Sequence, residues 1–109
     1  MAKKQNVSCV IEDKRGRPIS FGYNDYVKTN PLQAKYAKKV GRPEAIYIHA
    51  EIDAIIKAGR RIKDAYTIKI FRYDKKGRTK LACPCDICQE AIKHTPIKNV
   101  IYTVDEDEE

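Results

Sequence analysis

Three of the chain's four cysteines fall within six residues, at Cys83, Cys85 and Cys88. The disulfide framework of a short secreted protein would spread its cysteines behind a signal peptide, whereas this chain begins with a polar segment. No apolar run approaches the length of a membrane span. We therefore expect a cytoplasmic protein with no membrane partner, in which the clustered cysteines bind a metal ion.

The length of 109 residues fits a single domain, and a hydrophobic content of 42% allows only a small core. A core of this size gains stability from a bound metal or from a second subunit, so we expect a homo-oligomer. The expected organisation is one domain over residues 1–104 and an acidic tail over residues 105–109. Such a run of like charges is typical of a solvated, disordered tail.

The formal net charge of +7 hides an asymmetry, because the last five residues are all acidic. Without them, 22 lysines and arginines face ten acidic residues, which leaves a net charge of +12. A body this basic favours a phosphate-bearing partner, either a nucleotide substrate or a nucleic acid. The alternative is a lysine-rich surface that serves only solubility.

Periodicity and turn residues predict a small α/β fold with about four strands. We expect strands at residues 7–11, 19–23, 66–73 and 99–104, and helices at 32–39, 49–58 and 85–93. The first two strands form a hairpin, and residues 80–83 return from a turn at 74–78. Because helices alternate with strands in the second half, we expect a parallel strand pair there, with both later helices on one face of the sheet.

Two short motifs carry the chemistry, and each opens a predicted helix. They are His49-Ala50-Glu51 and Pro84-Cys85-Asp86-Ile87-Cys88. Together they form the pattern H-x-E followed by P-C-x-x-C, by which zinc deaminases of nucleobases are recognised. We place Pro84 at the first position of its helix, where proline is favoured.

The spacing of these residues suits a catalytic zinc ion. Cys85 and Cys88 lie three apart on a helix, so both thiols point the same way, and the helix N-terminus favours their thiolates. His49 supplies a third ligand from the other helix, and the fourth tetrahedral position stays open. Since two thiolates neutralise the ion, activating water requires a nearby base, and Glu51 is placed to supply it.

Three alternatives stay open from the residues alone. One is a closed structural zinc site with Cys83 as the fourth ligand, although its spacing from Cys85 is awkward for one tetrahedron. The second is a disulfide or a thioredoxin-like redox pair. The third is a non-catalytic, zinc-stabilised binding module, against which Glu51 argues, because a structural site has no use for that carboxylate.

Residues 49–55 and 84–92 resemble the two zinc motifs of deoxycytidylate deaminases and tRNA adenosine deaminases. Gly22-Tyr23-Asn24 resembles the deoxycytidylate group in particular, and the similarity spans residues 7–104. The chain is therefore identified as a member of the cytidine and deoxycytidylate deaminase superfamily, similar to its short phage-type members. One departure is a basic hairpin, residues 74–80, where relatives usually pass directly from strand to zinc motif.

This resemblance implies roles for individual residues. His49, Cys85 and Cys88 would bind Zn²⁺, and Glu51 would carry a proton from the attacking water to the ring nitrogen and then to the leaving ammonia. The backbone at Ala50 and Cys85 would hold the edge of the base, and Asn24 would contact the sugar or base. A tyrosine near the pocket could stack on the base; the candidates are Tyr23, Tyr26, Tyr36 and Tyr47.

The resemblance implies a hydrolytic deaminase but leaves two substrate classes. The first is cytosine in a free nucleotide such as dCMP, favoured by Gly22-Tyr23-Asn24 and the small size of the chain. The second is cytosine or adenine in single-stranded nucleic acid, favoured by the basic body and by the hairpin at residues 74–80.

Overall fold

A single four-stranded sheet organises residues 6–106, the part of the chain that the computed structural model describes. The strands are β1 (Asn6–Asp13), β2 (Pro18–Tyr23), β3 (Ala65–Tyr73) and β4 (Asn99–Tyr102). The helices are α1 (Pro31–Lys39), α2 (Ala50–Ala58) and α3 (Asp86–Lys93), and a 3₁₀-helix (Gly59–Asp64) joins α2 to β3. None of the helices in this range is long and apolar enough to cross a membrane.

The strand order is β2-β1-β3-β4. β1 runs antiparallel to both β2 and β3, while β3 and β4 are parallel. This confirms the α/β class, the four strands and the parallel pair expected in the second half of the chain. The order also brings the end of β3, the start of β1 and the end of β2 to one edge of the sheet, since Tyr73 pairs with Asn6 and Ser8 pairs with Tyr23.

The core lies between the sheet and the helices. Side chains alternate along a strand, so Cys9 and Ile11 of β1 share a face with Ile68 and Ile70 of β3, and all four are buried. Ala50 and Ala54 of α2 and Ile92 of α3 belong to the same cluster, which places both helices on that face, as expected. A second cluster joins the three helices; it includes Tyr36, Ala37, Ile48, Ile52, Ile87, Cys88 and Ala91.

Helix α2 sits unusually close to β2. A Cβ atom on Gly22 would lie 2.1 Å from the carbonyl oxygen of Ala50 and 2.5 Å from the amide nitrogen of Ala54, so only glycine fits there. Hydrogen bonds from two buried side chains of the sheet also hold α2 in this position. The Ser20 hydroxyl donates to the Ala54 carbonyl at 2.8 Å, and the Cys9 thiol donates to the Ala50 carbonyl at 3.1 Å.

The structure differs from the predicted elements in two details. The 3₁₀-helix was not anticipated. Helix α3 begins at Asp86 with Cys85 as its N-cap, so Pro84 lies before the cap rather than at the first helical position. Residues 80–83 return from the turn, as expected: the Lys80 amide donates to the Arg72 carbonyl and the Ala82 amide donates to the Thr103 carbonyl.

The first two residues of the acidic run, Asp105 and Glu106, form hydrogen bonds with the rest of the protein and so differ from the expected solvated tail. The Asp105 carboxylate accepts a hydrogen bond from the Leu81 amide at 2.9 Å. Glu106 exchanges backbone and side-chain hydrogen bonds with Thr79. Both residues remain exposed, and residues 107–109 lie outside the described part of the chain. The start of the run is thus attached to the segment between β3 and α3.

Candidate metal centre and substrate pocket

Two helix N-termini bring the three expected metal ligands together. His49 is the N-cap of α2, Cys85 is the N-cap of α3, and Cys88 lies in the first turn of α3. Their ligand atoms all lie within 4.8 Å of one another. His49 Nδ1 is 3.3 Å from Cys88 Sγ and 3.5 Å from Cys85 Sγ, so this ring nitrogen faces both sulfurs.

These distances fit a zinc ion. With Zn–S bonds near 2.3 Å and Zn–N bonds near 2.0–2.1 Å, tetrahedral geometry places nitrogen and sulfur about 3.5 Å apart. Within residues 6–106 the group contains three residues; the exposed Cys83 does not belong to it. The alternative of a closed site with Cys83 as the fourth ligand is therefore not supported, and the donor set is that of a catalytic site.

The pKa values of the two cysteines show that one of them already favours the thiolate form that binds a metal ion. The Cys88 thiol donates to Cys85 and, with the nearby His49, lowers the pKa of Cys85 to about 3 against the opposing effect of burial. For the same reason the pKa of Cys88 is raised, because its proton is shared with Cys85 and its thiol is buried. The Cys85 sulfur in turn raises the pKa of His49. A divalent cation would displace the shared proton, since a coordinating thiol is deprotonated.

Two supporting residues come from the segment before α2 and were not identified from the sequence. Gln33 of α1 is fully buried; its side-chain oxygen accepts from the His49 amide at 3.1 Å, and its amide donates to the Ala45 carbonyl at 3.0 Å. The Arg42 guanidinium contacts the Asp86 carboxylate and the Cys85 sulfur. Gln33 orients the backbone of one ligand, and Arg42 places a positive charge beside another.

Glu51 lies in the first turn of α2, close to the ligands but outside the group that they form. The residue is only 6% exposed. Burial raises the pKa of its carboxyl, and the neighbouring His49 opposes that rise. Its side chain therefore combines two properties of a proton carrier, since it is shielded from bulk water and holds a proton more readily than an exposed glutamate.

A cavity of about 490 Å³ opens beside the ligands. Its described walls come from the start of β1, the end of β3 and the start of α2, together with the segments that follow β2 and that precede α2 and α3. The lining residues are Val7, Asn24, Asp25, Tyr26, Ala45, Tyr47, Ile48, His49, Ala50, Glu51, Arg72, Leu81, Ala82, Cys83 and Cys85. The expected site residues Asn24, Ala50, Glu51 and Cys85 thus share one cavity with His49, and Cys88 is buried.

Some of the side chains expected to contact the substrate already contact other residues of the protein. The Asn24 side-chain oxygen accepts from the Val7 amide at 2.9 Å, which fixes this side chain at the end of β2. Of the four tyrosines considered, Tyr26 and Tyr47 line the cavity. Tyr36 is buried and stacks on His94 with ring centroids 5.6 Å apart, and the Tyr23 ring lies under the Lys57 ammonium. Only the first two can therefore meet a ligand in this cavity.

The sequence comparisons agree with this geometry. A family model described as the cytidine and deoxycytidylate deaminase zinc-binding region matches residues 1–104. No curated protein gives a significant match. The family match covers almost the whole chain, and the His49, Cys85 and Cys88 group suits its zinc ion. The chain therefore belongs to the cytidine and deoxycytidylate deaminase family of zinc-dependent deaminases.

Proposed function

We propose that this protein hydrolyses cytosine to uracil in a free nucleotide such as dCMP. The observation that carries the proposal is the placement of Glu51 in the same cavity as His49 and Cys85. That cavity, at about 490 Å³, falls within the usual range for small-molecule sites. A buried carboxylate beside a three-ligand zinc group has a use in catalysis, whereas a purely structural zinc site has none.

The reaction adds water to the ring carbon that bears the amino group and releases ammonia. His49, Cys85 and Cys88 would hold the zinc ion, which would supply a Lewis acid for the attacking water. Glu51 accepts one proton of that water and delivers it to the ring nitrogen next to the attacked carbon. It then takes the second proton, from the hydroxyl now on that carbon, and delivers it to the amino group, which leaves as ammonia while the carbonyl of uracil forms. Burial raises the pKa of Glu51 above that of an exposed glutamate, which suits a group that both accepts and donates a proton.

The remaining site residues would hold the base and sugar. Ala50 occupies the first turn of α2, whose amide groups are not used by the helix itself, and it lines the cavity. We assign the backbone at Ala50 and Cys85 to the edge of the base. We assign Asn24, which Val7 holds in place, to the sugar or base. Tyr26 and Tyr47 offer aromatic surface to the same cavity.

A second candidate function is deamination of cytosine or adenine in single-stranded nucleic acid. The observation that favours it is the course of the basic hairpin, residues 74–80, which leads directly into the cavity wall at residues 81–83. Lys75 and Lys76 are exposed on this hairpin. A strand would contact several lysines and give activity that falls steeply with salt, whereas a single nucleotide carries one phosphate group and should give a shallow dependence.

The test compares turnover of dCMP, deoxycytidine and a cytosine-bearing oligonucleotide at several salt concentrations. We expect dCMP to be deaminated with a shallow salt dependence. The Glu51→Ala variant should keep about one zinc ion per chain and lose activity by at least 10²–10⁴-fold, the range typical of general acid–base groups. As a matched control, Cys88→Ser should lose zinc and activity together.

Three results would contradict the proposal. Loss of zinc from Glu51→Ala would make Glu51 a ligand rather than a proton carrier. A steep salt dependence on the oligonucleotide, without turnover of dCMP, would establish the second candidate function and leave the zinc chemistry unchanged. Zinc binding without turnover of any of these substrates would favour the non-catalytic binding module.

A further inference from the structure

Arg72 reaches the cavity from the sheet. It follows Ile68 and Ile70 at two-residue intervals on β3, and both isoleucines are buried beneath the helices. Because side chains alternate along a strand, Arg72 lies on the same face, at the edge of the sheet where β3 ends. It pairs with Val7, and both residues line the cavity. Where β3 leaves the hydrophobic core, it thus places the positive charge of Arg72 at the wall of the cavity that Glu51 also lines.

This arginine is held at both its backbone and its side chain. The Arg72 amide donates to the Thr103 hydroxyl at 3.1 Å, and Nη1 of its guanidinium donates to the Leu81 carbonyl at 3.0 Å. Leu81 also lines the cavity and belongs to the segment that precedes the zinc-binding cysteines. A guanidinium carries five N–H donors, so the bond to Leu81 orients the group and leaves donors for a ligand.

The charges around the cavity single out Arg72 as the anion-binding group. It is the one lysine or arginine among the described residues that line this space. The lining carboxylates are Asp25 and Glu51, and the latter lies beside the metal ligands. The lysines of the hairpin, Lys75 and Lys76, are not part of the lining. An anionic ligand that enters this cavity therefore has one permanent positive charge to meet.

We propose that Arg72 binds the 5′-phosphate of a free nucleoside monophosphate and makes the enzyme prefer nucleotides over nucleosides. This inference rests on the proposed deamination of cytosine in a free nucleotide. The planar guanidinium can bind two phosphate oxygens at once, which a lysine cannot do. A single cation inside the cavity suits a terminal phosphate, whereas a polynucleotide requires a row of cations along its backbone.

The experiment measures kcat and KM for dCMP and for deoxycytidine with wild type, Arg72→Gln and Lys75→Gln. Arg72→Gln should raise KM for dCMP by about 10–100-fold, the range of a lost charge-assisted hydrogen bond, with kcat nearly unchanged. Its kcat/KM for deoxycytidine should stay at the wild-type value. Lys75→Gln removes the same charge outside the cavity and should alter neither substrate. Arg72→Lys should recover part of the preference for dCMP.

A structural role for Arg72 predicts a different pattern. If Arg72→Gln loses the same factor on both substrates, or melts at a lower temperature in step with its loss of activity, the proposal is overturned. It is also overturned if the variant keeps the full preference for dCMP.

Calorimetric titration of the zinc-loaded protein with dCMP and with deoxycytidine separates this proposal from the proposed function. Stronger binding of dCMP that disappears in Arg72→Gln supports the phosphate site even if wild type turns over neither compound. Equal binding of the two compounds by wild type excludes the phosphate site, whatever the catalytic activity.

Discussion

Gln33 connects the zinc ligands to a helix that carries none of them. Its side chain joins the His49 amide to the Ala45 carbonyl, so both ends of the carboxamide are used. Because Gln33 is fully buried, removal of the side chain would leave these two backbone groups without that partner in a largely dry environment. The position of the histidine ligand therefore depends on a residue 16 positions earlier in the chain.

We expect Gln33→Ala to lower the free energy of unfolding by about 1–3 kcal/mol, the usual cost of unsatisfied buried polar groups. Urea unfolding of the zinc-loaded protein measures this change. Gln89→Ala is a suitable control, since Gln89 is exposed and makes one bond to the Pro84 carbonyl. Equal unfolding midpoints for Gln33→Ala and wild type would mean that water or a rearranged backbone replaces the lost bonds.

Zinc ligands could be predicted from the sequence because short spacing on a helix fixes their geometry. Cys85 and Cys88 need only one turn of α3 to point the same way, and His49 was recognised by its neighbour Glu51. Gln33, Arg42 and Arg72 were missed for the opposite reason. Each reaches the site through contacts between separate elements, and nothing in the local pattern marks one glutamine or arginine among many polar residues.

At the level of elements, two turns of the sheet share one design. Residues 13–17 and 74–78 both read Asp-Lys-x-Gly-Arg. In the first, Asp13 accepts from the amides of Arg15 and Arg17 and from the Arg17 guanidinium; its glycine has φ of 81°. In the second, Asp74 accepts from Lys76 and Arg78 in the same way. The positive φ explains why glycine stands in both turns.

These turns should become less stable in acid. Hydrogen bonds from the Arg17 and Arg78 backbones, with their guanidinium groups, hold the pKa values of Asp13 and Asp74 below the ordinary value of 3.8. A lowered pKa means that the carboxylate stabilises the fold fully above pH 3.8, and that this contribution is lost as pH falls through the lower folded-state value. Asparagine keeps an acceptor oxygen but removes the charge.

The double variant Asp13→Asn, Asp74→Asn should therefore melt below wild type at neutral pH, and the difference should vanish in strong acid. Melting temperatures from pH 7 downward measure it, with Asp64→Asn as a control for loss of an exposed aspartate outside the turns. A difference that stays constant with pH would mean that the charge of these carboxylates does not stabilise the turns.

Strands and helices followed largely from periodicity and turn residues, because most of them alternate or repeat over several residues. The 3₁₀-helix did not, and neither did the hydrogen-bond partners of residues 80–83. This segment is positioned by hydrogen bonds to Arg72 of β3 and to Thr103, which directly follows β4. Such pairing depends on where distant strands lie, so the local sequence carries no signal for it.

Across the whole molecule, one face of the sheet is packed against helices and the other is not. Strand pairing places Phe21, Val10, Lys69 and Ile101 in one row on the second face, with Tyr73 nearby. Phe21 is 53% exposed and Ile101 is 51% exposed. None of the three described helices packs on this face. Parallel strand pairs such as β3 and β4 are usually covered on both sides, so this surface suits a further layer.

The charges on this face favour a second copy of the chain as that layer. Its central ion pair, between Lys69 and Glu12 at 3.2 Å, is neutral overall, while the rest of the body is strongly basic. Two copies can therefore meet here with little repulsion. A two-fold contact brings the same patch together from both sides, so that aromatic and aliphatic side chains of one copy cover those of the other.

We expect the protein to form a homo-oligomer through this face at concentrations on the order of 10 µM, where contacts of standard size are commonly populated. The Phe21→Lys variant should shift it toward monomers, because it buries a charge among the apolar side chains of the contact. Val27→Lys is the matched control, since Val27 is 77% exposed and lies outside the sheet. Sedimentation velocity over a range of concentrations measures the change, and zinc content and melting temperature show whether the variant still folds.

A wild type that stays monomeric at all concentrations would refute self-association. An oligomer that persists in Phe21→Lys would place the contact on another surface, because an unpaired lysine buried between apolar side chains costs binding free energy.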